Sequence, residues 1–155
     1  MASRKQLLIL KQGVGVWNIW RETNHRAGRP GWFEVDLRRA RLRSGQLWEI
    51  NFHEADLRAV DLREARLHEA NLSRANLAGA NLSNTDLSEA NLSRADLTDA
   101  DLAGAILWGA YVSRAKVQNI NVSGLVLLKL PLWTWTSRRL RGLTRLSIRD
   151  RRTLI

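Results

Sequence analysis

The feature that most constrains the fold of this chain is a five-residue period that runs unbroken through its middle. Residues 35–124 divide into eighteen consecutive units without an insertion or deletion. The third position is Leu in fourteen units and Phe or Val in the others, and the first position is Ala in twelve. The second position is mostly Asp or Asn, and the last two are variable and largely polar. The pattern indicates a regular structure that buries two positions in every five.

A five-residue period fits neither of the two common secondary structures. Side chains return to the same side every 3.6 residues in an α-helix and every two residues in a strand. Asn and Ser at fixed intervals are also poor residues for a helix interior. A chain that extends briefly and bends in every unit keeps the first and third positions on one side. We therefore predict a coil with Leu at its axis, Ala beside it and turns about 4.8 Å apart.

The repeat A-(D/N)-L-x-x resembles that of the pentapeptide-repeat family, as in ANLSR at residues 70–74 and ADLTD at residues 95–99. The resemblance covers residues 35–124 and could reach Lys129. It implies the fold of that family, an all-β solenoid that forms a right-handed quadrilateral parallel β-helix with four units per turn. Side chains twenty residues apart would then stack on one face of the coil.

The open N-terminal end of such a coil needs a cap, and residues 1–34 are predicted to form a short α-helical cap and a loop. Within residues 6–21, apolar side chains recur at helical spacing, at Leu7, Leu10, Val14 and Trp17. Gly13 and Gly15 either weaken this helix or allow close packing on the first turn. The sequence KQGV followed by WNIWR, within residues 11–21, also resembles the leader before the repeats of bacterial family members.

The other end of the chain is strongly basic. Residues 125–155 carry eight Lys or Arg and one acid, whereas residues 35–124 have a net charge of −1, so the overall +10 belongs to the ends. The β-helix is predicted over residues 35–129, because Pro131 cannot donate a ladder hydrogen bond. Residues 130–155 are predicted to be a basic, Trp- and Leu-containing cap or tail. This segment could instead form a homodimer, or bind anionic lipid or nucleic acid.

A register of twenty residues predicts columns of side chains on the outer faces. The columns of interest are Glu49, Glu69 and Glu89; Arg74, Arg94 and Arg114; Asn51, Asn71 and Asn91; and Trp48, His68, Ser88 and Trp108. The Asn column could bond along the axis as an amide ladder. We interpret the adjacent Glu and Arg columns as a solvated, salt-bridging surface, with a partner-binding surface as the alternative.

Outward tryptophans often mark a contact surface. Trp48 could instead lie under the N-terminal cap, and Trp108 could pack on the C-terminal segment. The candidate interaction residues are therefore Trp48, Trp108, Arg74, Arg94, Arg114, Trp133 and Trp135.

The sequence contains no pattern that indicates catalysis. There is no Cys, and His25, His53 and His68 do not stand at metal-ligand spacing. No P-loop, dinucleotide-binding or nucleophile-elbow motif is present. We therefore predict no enzyme, no cofactor, no metal and no small-molecule substrate. The lack of any apolar run near about 20 residues, and of a secretory signal, favours a cytoplasmic protein.

The favoured function is a non-enzymatic scaffold for protein–protein interaction, with an unidentified protein partner. The first alternative is a DNA mimic that modulates DNA gyrase or topoisomerase, as the resemblance to the family suggests. A mimic of a polyanion should be acidic, yet residues 71–113 carry only five acids against two arginines. The second alternative is binding of an anionic surface, nucleic acid or membrane, through the basic C-terminal tail.

Overall fold

The computed structural model describes residues 2–25 and 35–126, and it begins with two helices rather than one. Helix α1 spans Arg4–Leu10 and helix α2 spans Val14–His25. The single helix expected over residues 6–21 is wrong, because Gly13 adopts a φ of 113° that an α-helix cannot continue through. A Cβ added at Gly13 or Gly15 would meet nothing within 4 Å, so close packing does not explain either glycine.

The repeats form a coil in which residues twenty apart pair in parallel. The bridges run from Asp36 with Asp56 to Ile106 with Val126, always between second positions of units one turn apart. This register confirms the prediction of four units per turn. The described residues contain isolated bridges and no extended strand, because every unit bends before a second residue can pair. The all-β description therefore holds for the backbone pairing and not for strand length.

The bend is made by the fifth residue of each unit, which adopts a left-handed conformation in all eighteen. The φ angles at this position lie between 53° at Ala59 and 69° at Gly124. Glycine, Asn, Asp, Ser and other unbranched residues fill the position, and no β-branched residue does. That choice follows from sterics, because a β-branched side chain is poorly tolerated at positive φ.

The core is a column of first- and third-position side chains. From Val35 to Val112 these positions are almost entirely buried, and Phe52 is fully buried in the third-position series. The sequence prediction of an interior of Leu and Ala is confirmed. Thr85 replaces a first-position Ala and is fully buried, with its hydroxyl donating to the carbonyl of Leu62 at 2.9 Å.

The second-position Asp and Asn residues have a structural role in every unit that contains one. In all twelve units, the side-chain Oδ1 accepts a hydrogen bond from the backbone N–H of the fourth residue. This bond between a side chain and the backbone two residues later stabilises the local bend. The periodic acids and amides are thus needed by the coil itself.

The four sides of the coil are named here by their stacked units. Face 1 contains the units that start at residues 35, 55, 75, 95 and 115, and face 2 those that start at 40, 60, 80, 100 and 120. Face 3 contains the units that start at 45, 65, 85, 105 and 125, and face 4 those that start at 50, 70, 90 and 110.

Helix α2 caps face 4 by supplying hydrogen bonds that a preceding turn would otherwise make. Trp17 is fully buried, its ring meets Phe52 edge-on at 5.6 Å, and its Nε1 donates to the carbonyl of Asn51 at 2.8 Å. The Asn18 amide accepts from the N–H of Asn51 at 2.9 Å and donates to the carbonyl of Glu49 at 3.0 Å. Arg21 donates to the carbonyl of His53. These bonds give the WNIWR sequence a physical role.

Helix α1 caps face 1 in the same way. The backbone N–H of Ser3 donates to the carbonyl of Asp36 at 2.7 Å, and Gln6 Oε1 accepts from the N–H of Asp36 at 2.9 Å. Two helices therefore satisfy backbone groups on two adjacent faces. The break at Gly13 lets the chain turn from one face to the other.

Candidate interaction surfaces

Faces 1 and 2 carry acids and bases in equal number, and most of them are paired. Face 1 has four acids and four bases, and face 2 has three of each. Arg38, Arg58 and Arg63 each form a two-pronged hydrogen-bonded ion pair with the second-position Asp of the same unit. These pairs within one unit were not predicted, because the twenty-residue register describes only stacking between turns.

The pairing changes the acidity of the carboxylates. Hydrogen bonds from the Arg38 guanidinium lower the pKa of Asp36 to about 2, and those from Arg63 lower the pKa of Asp61 to about 2. The pKa of Asp56 is also lowered, mainly by hydrogen bonds from Arg58. Such groups stay ionised at neutral pH and form a neutralised surface that offers little charge to a partner.

Face 4 carries an excess of positive charge. Its charged residues are Glu54, Arg74, Arg94 and Arg114, a net of +2. Arg74 donates to Glu54 one turn below at 2.9 Å, so the salt bridge lies within the Arg column. Arg94 and Arg114 have no acidic partner among residues 2–25 and 35–126. The prediction that the Glu and Arg columns bridge each other is wrong.

Large side chains interrupt the polar pattern near the end of the described coil. Tyr111, on face 4 above Asn91, is 64% exposed. Ile106 and Val126, which pair with each other on face 3, are 39% and 40% exposed. Each occupies a second position, where Asp or Asn is usual. The candidate residues predicted from the sequence did not include Tyr111, Ile106 or Val126, although the missing polar residue was the signal.

The two outward tryptophans differ in their surroundings. Trp48 is 51% exposed on face 3, and the Arg66 guanidinium lies 6.0 Å from its ring centroid. It does not lie under the N-terminal cap formed by the described helices. Trp108, three turns away on the same face, is half-buried. Trp133 and Trp135 lie outside the described residues.

The predicted Asn column is in register but does not form a ladder of side-chain bonds. Asn51, Asn71 and Asn91 pair through their backbones. Their side-chain oxygens accept hydrogen bonds within their own units. Axial side-chain bonds occur elsewhere, as between Asn121 and Asp101 at 2.9 Å.

No group of three or more metal-ligating side chains occurs in the described parts of the chain. The helices described there include none that is long and apolar enough to cross a membrane.

The repeat pattern and the coil both agree with comparisons to known proteins. Residues 36–74 and 70–109 match the family model "Pentapeptide repeats", with eight copies. The chain is a pentapeptide-repeat protein. Proteins of this family are generally structural or interaction scaffolds. No match was found among curated proteins.

Two solved pentapeptide-repeat proteins illustrate the shared β-helix. One, from the cyanobacterium Cyanothece 51142, is 32% identical with a TM-score of 0.57, over 57% of this chain and 60% of that one. The other, from the thylakoid lumen of Arabidopsis thaliana, is 31% identical with a TM-score of 0.57, over 58% of this chain and 63% of that one. This pentapeptide-repeat protein thus spans about three fifths of the length of each structure.

Proposed function

We propose that this protein is a non-enzymatic scaffold that binds an acidic protein partner through face 4. The observation that carries the proposal is the combination of Tyr111, Arg94 and Arg114 on one rigid face. Tyr111 is 64% exposed, and neither arginine has an acidic partner among the described residues. Tyr and Arg are enriched among the residues that contribute most to protein–protein binding.

The rigidity of the coil supports this role. The left-handed fifth residue fixes the bend of each unit, and the second-position Asn91 adds a hydrogen bond in the unit of Arg94. The unit of Arg114 has Tyr111 at that position and is held to the unit of Arg94 by backbone hydrogen bonds. Arg94 and Arg114 are therefore held one turn apart, about 4.8 Å along the axis. A partner with two suitably spaced carboxylates could pair with both arginines at a low entropic cost, because the scaffold is already ordered.

The charge distribution makes the DNA-mimic alternative weaker than the scaffold. Faces 1 and 2 are neutral and face 4 has a net charge of +2. Only face 3 is acidic, with Glu49, Glu69, Asp86 and Glu89 against Arg66. Duplex DNA presents negative charge on all sides, so one acidic face is a poor imitation of it.

The test is capture of partners by the full chain from a lysate of its source organism, followed by measurement of affinity for the partner identified. We expect Arg94→Glu with Arg114→Glu to weaken binding about tenfold or more, since about 1.4 kcal/mol corresponds to a factor of ten. Arg39→Glu with Arg41→Glu is the matched control, because both are exposed arginines without an ion pair among the described residues. Equal losses for both variants, or the absence of any captured protein, would refute the proposal.

A further inference from the structure

Face 3 differs from the other faces in how its acids are paired. Glu49, Glu69 and Glu89 are exposed fifth-position residues stacked one turn apart. None of them pairs with a Lys or Arg among the described residues, and the Glu69 carboxylate lies 2.9 Å from the His68 imidazole. On the other faces, acids such as Asp61, with Arg63, and Glu54, with Arg74, do have basic partners. Face 3 therefore presents a column of uncompensated negative charge.

The same face also carries three exposed apolar side chains that the repeat pattern does not require. Trp48 stands at one end of the glutamate column, and Ile106 and Val126 stand at the other. Together with Asp86 and Arg66, the three glutamates give the face a net charge of −3. A ligand that fits it would be positively charged and would carry large apolar side chains.

Residues 127–155 have this composition, and they follow directly after a residue of this face. Val126 is the last described residue, and it pairs with Ile106 on face 3. The following 29 residues carry eight Lys or Arg and one acid, and they include Trp133 and Trp135. Face 3 extends four turns back from Val126 to Gln46, about 19 Å at the spacing of paired backbones. Six extended residues cover that distance at about 3.3 Å each, so the segment is long enough.

We propose that residues 127–155 fold back and bind to face 3 of their own coil, with arginines on the glutamate column and apolar side chains at Ile106 and Trp48. The covalent connection makes weak contacts sufficient, because binding within one chain is intramolecular and its effective concentration can reach the millimolar range. The charge complementarity makes the docking sensitive to salt. The inference concerns a different face from the proposed partner site and does not depend on it.

The test uses the full chain, which has no Cys, with Ser147→Cys carrying a nitroxide spin label. Amide signals of the coil are recorded by NMR with the label oxidised and then reduced. We expect selective loss of peak intensity at face 3 amides, such as those of Glu69 and Glu89, relative to face 1 amides. Raising the salt concentration to about 1 M shortens the screening length to about 3 Å and should reduce the selectivity.

Charge reversal on two faces supplies the matched comparison. Glu49→Lys with Glu89→Lys should abolish the selective loss at face 3, while Glu64→Lys with Asp99→Lys should preserve it. All four residues occupy left-handed fifth positions, so the backbone demands are alike. Circular dichroism of each variant verifies that the coil is intact.

Three outcomes would overturn the proposal. The first is intensity loss that is uniform or absent, and the second is selective loss on a different face. The third is selective loss at face 3 that arises only in a mixture of isotope-labelled chains with separate spin-labelled chains, since the occupant would then be a second copy.

Discussion

The N-terminal cap gives the sharpest test of how this coil is stabilised. Trp17 is fully buried, packs edge-on against Phe52 and donates to the carbonyl of Asn51. The perturbation is Trp17→Ala, which removes the ring and the hydrogen bond together. Trp17→Phe keeps a ring next to Phe52 but removes the donor to Asn51.

The expected magnitude follows from burial. Replacing a buried Trp by Ala typically costs about 3–5 kcal/mol, and the carbonyl of Asn51 is left without this donor. Trp17→Phe should cost less, since a single hydrogen bond contributes about 1 kcal/mol net and most of the ring contact remains. Ile19→Ala is the control, because Ile19 belongs to the same helix and is 67% exposed. We expect a change within about 0.5 kcal/mol there.

The assay is urea unfolding combined with native-state hydrogen exchange. Each turn of a solenoid contacts only its neighbours, so loss of the cap should reduce protection first in residues 35–54. The amides of Phe52 and Leu37, which bond to the second turn, should exchange faster than those near residue 90. The reasoning is refuted if Trp17→Ala costs no more than Ile19→Ala, or if protection falls equally along the whole coil.

Three further predictions concern pH, the core and gyrase. The pKa of Asp36 and of Asp61 is lowered from 3.8 to about 2. The stability that their ion pairs contribute is therefore present above pH 4 and falls as the pH drops toward 2. A urea unfolding midpoint that stays constant across that pH range would contradict this prediction. Thr85→Val removes the hydroxyl that donates to the carbonyl of Leu62, but this carbonyl keeps the N–H of Ala65 as a donor. We therefore expect the free energy of unfolding in urea to fall by about 1 kcal/mol or less. A fall of more than about 2 kcal/mol would contradict this prediction. The purified chain should leave gyrase supercoiling unchanged, and inhibition or protection would revive the DNA-mimic alternative.

The sequence predicted those parts of the fold that the repeat fixes. The buried positions follow from the five-residue period, whereas the four units per turn and the columns of side chains follow from the resemblance to the pentapeptide-repeat family. The core and the bridges confirm both. The break between the helices was not predicted, because a glycine in a helical pattern does not reveal whether its φ will be positive. The caps on Asn51 and Asp36 depend on how the helices dock, which no local pattern encodes.

The candidate surfaces were harder to predict, because ion pairing depends on side-chain direction. The twenty-residue register correctly placed Arg74 in one column with Arg94 and Arg114. The ion-pair partner of Arg74 is Glu54, which lies one turn below in the same column. Arg38 and Arg63 pair within their own units. The lack of a basic partner for Glu49 and Glu89 became visible only once the ion pairs among the described residues had been assigned.

The coil constrains most positions of each five-residue unit, and this limits which side chains can bind a partner. First and third positions fill the core, second-position Asp and Asn bond to the backbone, and fifth positions must be compatible with positive φ. Only the side chains of fourth and fifth positions, and second positions that have lost Asp or Asn, are free to vary for binding. Trp48, Arg94, Ile106 and Tyr111 all belong to these classes. Membership of the family therefore determines the coil, and the partner must be sought at these departures from the repeat.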